Sequence, residues 1–473
     1  MPSKPLLALS LAVVLVAAAC GGGGDGRGGA AKRVGKDSPL PQPPAVCPIG
    51  ALANAAKPVR IVVWDSTAHG DEEELRQLTD RFNAQQSDVV VTLVNQVSYQ
   101  ETLQRYRAGL SNGVLPDLVQ LDDTTVQEMA DTRAVLPVQA CIDAEHLTLS
   151  DYTQQALDRW VVNGVHWAMP FNVWNPVLYY NKAAFRKAGL DPNTGPATLD
   201  DVRTMAEKLK AAGVASPYGL KVEAWNLEQW LAKANETYVN NGNGRTARAT
   251  QALFDNAQGR AIFQWMAQMV RDGLAATNPD QGPGELDNLM GLGTGRLAMA
   301  VDSSSALGTI QQMLATAPNP NFELGVAPMP GPVDGAGGVA VSGGALYISN
   351  RSAPEKQEAA WRFVKFLTQP DVQAEWAAAT GDLPVRTSAT TLPPITQQWA
   401  EHPGYKVAYD ELTSAPNTVV TQGPAIGDYQ AVRDAVLNAE NSMFSQGRPP
   451  DQALANAARS ATGAIAAYDA HTP

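Results

Sequence analysis

Apolar and polar positions follow two rhythms along this chain. "VRIVVWDST" is a short apolar, β-branched run that reads as a buried strand, and in the following "HGDEEELRQLTDRFNAQ" the residues Leu75, Leu78 and Phe82 share one helical face. Acidic residues Asp71 to Glu74 suit the positive end of that helix. "VVVTLVNQ" continues as a second strand, "YQETLQRYRAGL" as a helix and "PDLVQLDD" as a third strand. Strands alternating with helices predict a parallel α/β sheet, whose ligands sit outside the carboxyl ends of the strands. Those ends are Trp64-Asp65-Ser66 and Asp122-Asp123, with helix capping the other role open to Ser66 and Asp122.

The middle and end of the chain repeat the style. "ATLDDVRTMAEKLKAAG" is a helix with Thr198 as cap, Asp201 three residues on and Gly213 at its end. Trp225 and Trp230 fall near the start of another helix, five residues apart, so they cannot share one face and one of them belongs to the core. "GRLAMAVDSSSALGTI" predicts a strand running into a Ser-rich turn, and "VAVSGGALYIS" a strand broken by Gly343-Gly344. Such a pair of glycines marks close approach of another backbone or a ligand. "SAPEKQEAAWRFVKFLTQP" is a helix capped by Ser352 and stopped by Pro370. In "WAMPFNVWNPVLYYNK", Trp174 sits among Asn172, Asn175 and Pro176, which fit an exposed crossover, while Tyr179 and Tyr180 alternate across a strand as packing residues.

Composition changes the picture at the N-terminus. After Lys4, "LLALSLAVVLVAAAC" has the length of a signal-peptide core, so residues 1–19 read as an export signal. Its end resembles a bacterial lipobox, with Cys20 as the lipidated residue. Ala17 stands where that pattern prefers Leu, Val or Ile, and Ala17 with Ala19 also fits an ordinary cleavage site. Residues 20–57, Gly-rich and then Pro-rich, read as a lipidated Cys and a disordered tether. With Cys20 set aside, Cys47 and Cys141 remain as a candidate disulfide, the other reading being two unpaired thiols. About 415 residues remain, too many for a single core, which implies two lobes. A net charge of -12 without an extended basic run excludes nucleic-acid binding, and five scattered histidines give no metal site. Nothing in the pattern calls for a cofactor.

At this point the order of motifs resembles a known family. "PFNVWNPVLYYNKAAFRKAGLDP", "GRLAMAVDSSSALGTI", "SGGALYIS", "FLTQPDVQAEWAAATGDLPVR" and "GDYQAVRDAVLNA" are similar to segments of the extracellular solute-binding proteins of ABC importers, in the group that includes maltose- and glycerol-3-phosphate-binding proteins. The resemblance implies an α/β, two-lobe periplasmic-binding-protein fold with a hinged ligand cleft and several crossovers. It divides the chain into 58–170 with 342–392 as the first lobe and 171–341 with 393–473 as the second. Crossings are expected near Met169-Pro170, Val339 to Gly343 and Ser388 to Pro394. It further implies a monomer held to the outer face of the cell membrane, passing a small ligand to a permease. Trp64, Asp65, Tyr99 and Asp123 would line the first lobe's side of the cleft, and Trp225, Trp230, Ser303, Ser304, Ser305 and Tyr429 the second. Gly343 and Gly344 would offer N–H groups at the floor, Asp382 would reach in from a loop, and Trp174 would face the cleft.

Relative to the glycerol-3-phosphate binders, Val173-Trp174 replaces small serines, Asp382 replaces a Tyr and Ala425 replaces an Arg. Arg clamps phosphate and a nearby carboxylate repels it, so these changes favour a neutral carbohydrate or polyol. Glycerol-3-phosphate, a glycerophosphodiester and a cationic head group are the alternatives. An enzyme has one hook, "GLSNG" from Gly109 to Gly113, which matches G-x-S-x-G. It follows a helix and leads into a strand, the reverse of the hydrolase context, so a hydrolase is not expected. A surface lipoprotein without a small ligand is the third class.

Overall fold

The computed structural model describes residues 46–67, 70–279, 287–316, 318–333, 335 and 337–472. The expected export signal and Cys20 lie outside the described residues.

Two mixed sheets organise the chain. Strands β1 (Val59–Asp65), β2 (Val89–Asn95), β3 (Leu118–Asp122), β4 (Val135–Leu136) and β7 (Met169–Trp174) join β13 (Ser342–Ser349) in the first. A small hairpin, β5 (Val161–Val162) and β6 (Val165–His166), stands apart. The second sheet runs β10 (Ala275–Pro279), β9 (Ser216–Val222), β11 (Leu297–Ser303), β8 (Pro176–Asn181), β12 (Leu324–Pro328).

Only part of each sheet is parallel, against the all-parallel expectation. β1 pairs with β2 and β3 in parallel, but β13 returns from far along the chain and lies antiparallel to β3, β4 and β7. In the second sheet β8 is antiparallel to both β11 and β12. A strand entering directly from the other sheet, without a crossover helix, is free to run either way.

Burial explains why these segments are strands. β13 is buried along its whole length, as is β8, so their apolar runs are continuous rather than alternating. Along β8, Val177 and Tyr179 join the apolar cluster that surrounds the first sheet, while Leu178 and Tyr180 join the cluster of the second lobe. The two tyrosines are anchored at their tips, Tyr179 Oη donating to Ser303 O (2.7 Å) and Tyr180 Oη to Pro192 O (3.1 Å). The helix Leu199–Ala211 carries a full capping box between Thr198 and Asp201. The helix expected to be capped by Ser352 instead starts at Pro354 with Ala353 as cap, and Ser352 Oγ donates to Asp117 Oδ1 (2.6 Å).

The first and third crossings fall later than the sequence suggested. β7 keeps its pairing with β13 through Trp174, so the first passage is at Asn175, whose buried Nδ2 donates to Ala408 O (3.2 Å). Ile395 packs with Ala374, Ala377 and Ala389, which keeps the helix Pro393–Glu401 on the first lobe. The chain passes over only before the helix Gly404–Ser414, which lies against β8 and β12.

The end of the expected tether belongs to the body. Cys47 is disulfide-bonded to Cys141, Leu52 is fully buried, and its N–H donates to Glu358 Oε2 (2.8 Å). A buried leucine and a covalent tie hold this short stretch in spite of its Pro- and Gly-rich surroundings.

Candidate ligand cavity

A cavity of about 330 Å³ opens between the two sheets. One wall is made by Tyr99, Asp122, Asp123, Trp174 and Ser342. The other consists of Val222, Glu223, Ala224 and Trp225, at the carboxyl end of β9, with Gln430, Arg433, Asp434, Leu437 and Asn441 from the helix Tyr429–Gln446.

The first wall is held by a polar network beneath it. Tyr99 opens the helix Tyr99–Asn112, and its hydroxyl accepts from Asn172 Nδ2 (2.8 Å), while Asn172 Oδ1 accepts from Gln120 Nε2 (2.8 Å). A methyl added at Gly344 would stand 2.4 Å from that hydroxyl and 2.3 Å from Asn172 Oδ1, so the missing side chain is what lets Tyr99 approach β13. Gly343, at φ +123°, meets the backbone of Asn172 and Val173 in the same way. Trp174 ends β7 with its ring 6.2 Å from that of Tyr99.

The adjacent carboxylates Asp122 and Asp123 have different fates. Asp123 is buried, pairs with the buried guanidinium of Arg159 through Nη2, and accepts the Gly343 N–H (3.2 Å). Asp122 is half-buried, accepting the Thr124 hydroxyl (2.7 Å) on Oδ1 and a hydrogen bond from the Thr124 backbone. Burial, then the neighbouring Asp123 charge, push its carboxyl up to about 6. Burial also holds the Tyr99 phenol well above its ordinary value.

On the second wall, Arg433 forks onto Glu228 (Nε–Oε1 2.9 Å, Nη2–Oε2 2.7 Å) and lies over the Tyr429 ring. Trp225 Nε1 donates to Ser342 Oγ (2.8 Å), so one hydrogen bond joins the two walls.

Of the residues expected from the sequence, Tyr99, Asp123, Trp174 and Trp225 meet around this cavity. The others do other work. Trp64 packs against the first core cluster, and Asp65 Oδ1 accepts from Thr67 Oγ1 (2.7 Å) and Asn95 Nδ2 (2.7 Å), closing the loop after β1. Trp230 is fully buried edge-on to Trp265, which makes it the core member of its pair. Ser303 bonds Ser305 through their hydroxyls (2.7 Å), and the Ser304 N–H donates to Asn175 O (3.0 Å). The Gly343 N–H is committed to Asp123, and Gly344 serves the approach of Tyr99. Asp382 is buried under the first wall, accepting from Trp376 Nε1 (3.0 Å), and burial raises its pKa well above the carboxylate range. Tyr429 is buried in the second core. Gly109 to Gly113 form the end of a helix with exposed Ser111 and Gly113 as its left-handed cap, not a nucleophile turn.

Comparison with known proteins identifies this architecture. Residues 77–406 match the profile of the bacterial extracellular solute-binding proteins. The chain belongs to that family. This solute-binding protein is of the ABC-importer type, with the two-lobe fold of its relatives. It is 26% identical over 421 residues to the sn-glycerol-3-phosphate-binding periplasmic protein UgpB of Yersinia pestis bv. Antiqua, covering 86% of this chain and 92% of the relative. Its fold is similar to that of the GacH receptor of Streptomyces glaucescens, solved unliganded and with acarbose (TM-score 0.71, 21% identity, 86% of this chain and 99% of that one). It is equally similar to that of UgpB from Mycobacterium tuberculosis in complex with glycerophosphocholine (TM-score 0.71, 24% identity, 87% and 99%).

Sequence reasoning missed Glu223, Ser342 and the whole row from Gln430 to Asn441 on the second wall. A signal for the row was present: Gln430, Arg433, Asp434, Leu437 and Asn441 recur at helical spacing opposite the buried Val432, Val436 and Met443. Among the described residues, no group of three or more His, Cys, Asp or Glu could hold a metal ion. No helix among them is long and apolar enough to cross a membrane.

Proposed function

We propose that this protein captures a hydroxyl-rich, phosphate-free ligand, a mono- to trisaccharide or polyol, and hands it to a membrane permease without catalysing a reaction. It acts as a monomer tethered to the outer face of the cell membrane through lipidated Cys20. The observation that carries the ligand assignment is the cavity lining. Three aromatic side chains, Tyr99, Trp174 and Trp225, stand beside Asp122, Asp123, Glu223 and Asp434, while Arg433 is already forked on Glu228. Aromatic faces stack on the C–H faces of a sugar, and carboxylates and amides accept and donate to its hydroxyls. The volume falls at the lower end of the range for small-molecule sites.

A glycerophosphodiester is the second reading, favoured by the ligand of the M. tuberculosis relative. Its phosphate would enter a lining in which carboxylates predominate and the nearby guanidinium is engaged, so its charge meets repulsion rather than a clamp. Thermal-shift measurements on the full chain separate the readings, since a ligand at a hundred times Kd stabilises by about 2.7 kcal/mol. Maltose-type sugars and sugar alcohols should raise the melting temperature. A larger rise with glycerol-3-phosphate or glycerophosphocholine overturns the carbohydrate assignment, and no rise with any compound returns the protein to a role without a small ligand.

A further inference from the structure

The carboxylates of the lining differ in how their charge is met. Asp123 is neutralised by Arg159, and Arg433 is neutralised by Glu228. Among the described residues no Lys or Arg forms an ion pair with Asp122 or Asp434, although both line the cavity. Asp122 is hydrogen-bonded by Thr124, a neutral donor, and stands among the groups that face Tyr99. Closing two lobes over a neutral sugar would give that carboxylate a hydroxyl donor but no opposite charge, and a dehydrated carboxylate without a counter-charge is costly. The rings of Tyr99 and Trp174, half-buried at the same wall, offer faces that attract a cation.

We infer that the ligand is a carbohydrate bearing a protonated amine, seated between Asp122 and the rings of Tyr99 and Trp174, with Asp434 adding negative potential at the rim. The inference rests on the carbohydrate reading and names the substituent that the cavity selects. The amine gains a charge-assisted hydrogen bond to Asp122 that a hydroxyl cannot equal. Phosphate is repelled by the same group.

The groups around Asp122 set a pH dependence. Burial, then Asp123, raise its carboxyl, while Thr124 and, from the opposite wall, Arg433 lower it. Tyr99 and, from β13, Tyr347 also face it, both as neutral phenols. The carboxylate forms as the pH rises through about 6, so preference for an amine strengthens over that interval.

Isothermal titration of the full chain tests this with glucose and maltose against glucosamine and the disaccharide of glucosamine, at about pH 5 and about pH 7. The amino sugars should bind at least about tenfold tighter than their neutral counterparts at the higher pH, the scale of one hydrogen bond to a charged group. That ratio should shrink several-fold at the lower pH. Asp122→Asn should bring the ratio down towards one, with a melting curve to check folding, and the pH series on the unmodified protein stands if that variant does not fold. Neutral sugars that bind as tightly as the amino sugars overturn this inference and leave the carbohydrate reading in place. Preference for glycerol-3-phosphate or glycerophosphocholine over every sugar, or no binding by any sugar, overturns both.

Discussion

Tyr99, Asp123 and Trp174 on the first wall of the cavity rest on a buried network of Gln120, Asn172, Arg159 and the Gly343-Gly344 backbone. Across the cavity, Gln430, Arg433, Asp434, Leu437 and Asn441 project from one face of a single helix, and Asp434 and Asn441 are exposed. The first wall is tied together by buried side chains from several elements; the second is tied along its own helix, Gln430 Nε2 donating to Asp434 Oδ1 (2.9 Å), with Arg433 anchored on Glu228. The difference teaches where to look for each property. Under the proposed function, position and orientation of the ligand would come from the first wall, and discrimination between ligands from the helix and from Asp122.

The strongest way to break this contrast is Arg159→Ala. It leaves Asp123 buried and unpaired, a change that costs about 3–5 kcal/mol, and chemical denaturation should show a loss of that size. A loss below about 1 kcal/mol would mean that the first wall is not held by this pair. Next come Trp174→Ala and Trp225→Ala, each expected to weaken the best sugar ligand by about 2 kcal/mol or more with little change in melting temperature, as titration and melting curves would report. An unaltered affinity for Trp174→Ala would move that ring from the ligand to the core. A smaller effect concerns pH. The Asp122 pKa in the folded protein, about 6, lies above that of an unfolded carboxylate, so the native state holds the proton more tightly. This contribution to stability is complete below about pH 4 and is lost as the pH rises through 6. Asp122→Asn should therefore flatten the melting temperature over that interval, by about 1–2 °C for a chain of this size. The smallest effect is expected for Asp434→Asn, since an exposed rim charge contributes under about 1 kcal/mol and its influence should fade with added salt.

Local signals were legible because they act within a few residues. The Thr198–Asp201 capping box and the strand–helix alternation from Val59 to Asp122 can be read without knowing the rest of the molecule. Trp225 and Trp230 mark where local reading stops. Their spacing shows that they face differently, but only the helix Ala224–Lys233 lying against Trp265 decides that Trp230 is core and Trp225 lines the cavity. Asp65 and Asp123 pose the same problem, since Asp65 ends β1 and Asp123 directly follows β3, its parallel neighbour. Asp65 closes a loop with Asn95, whereas Asp123 meets Arg159 and Gly343, distant in sequence from it and from each other.

By itself the sequence determined the two-lobe α/β class and the family, because hydrophobic period, caps and motif order are written along the chain. The tertiary structure alone decided the sense of β8 and β13, the passage at Asn175, the row from Gln430 to Asn441, and the partner of each buried carboxylate. Those depend on segments that meet only after folding, where burial makes an unsatisfied charge costly and so drives each acid into an ion pair, onto hydrogen-bond donors or toward the open cavity.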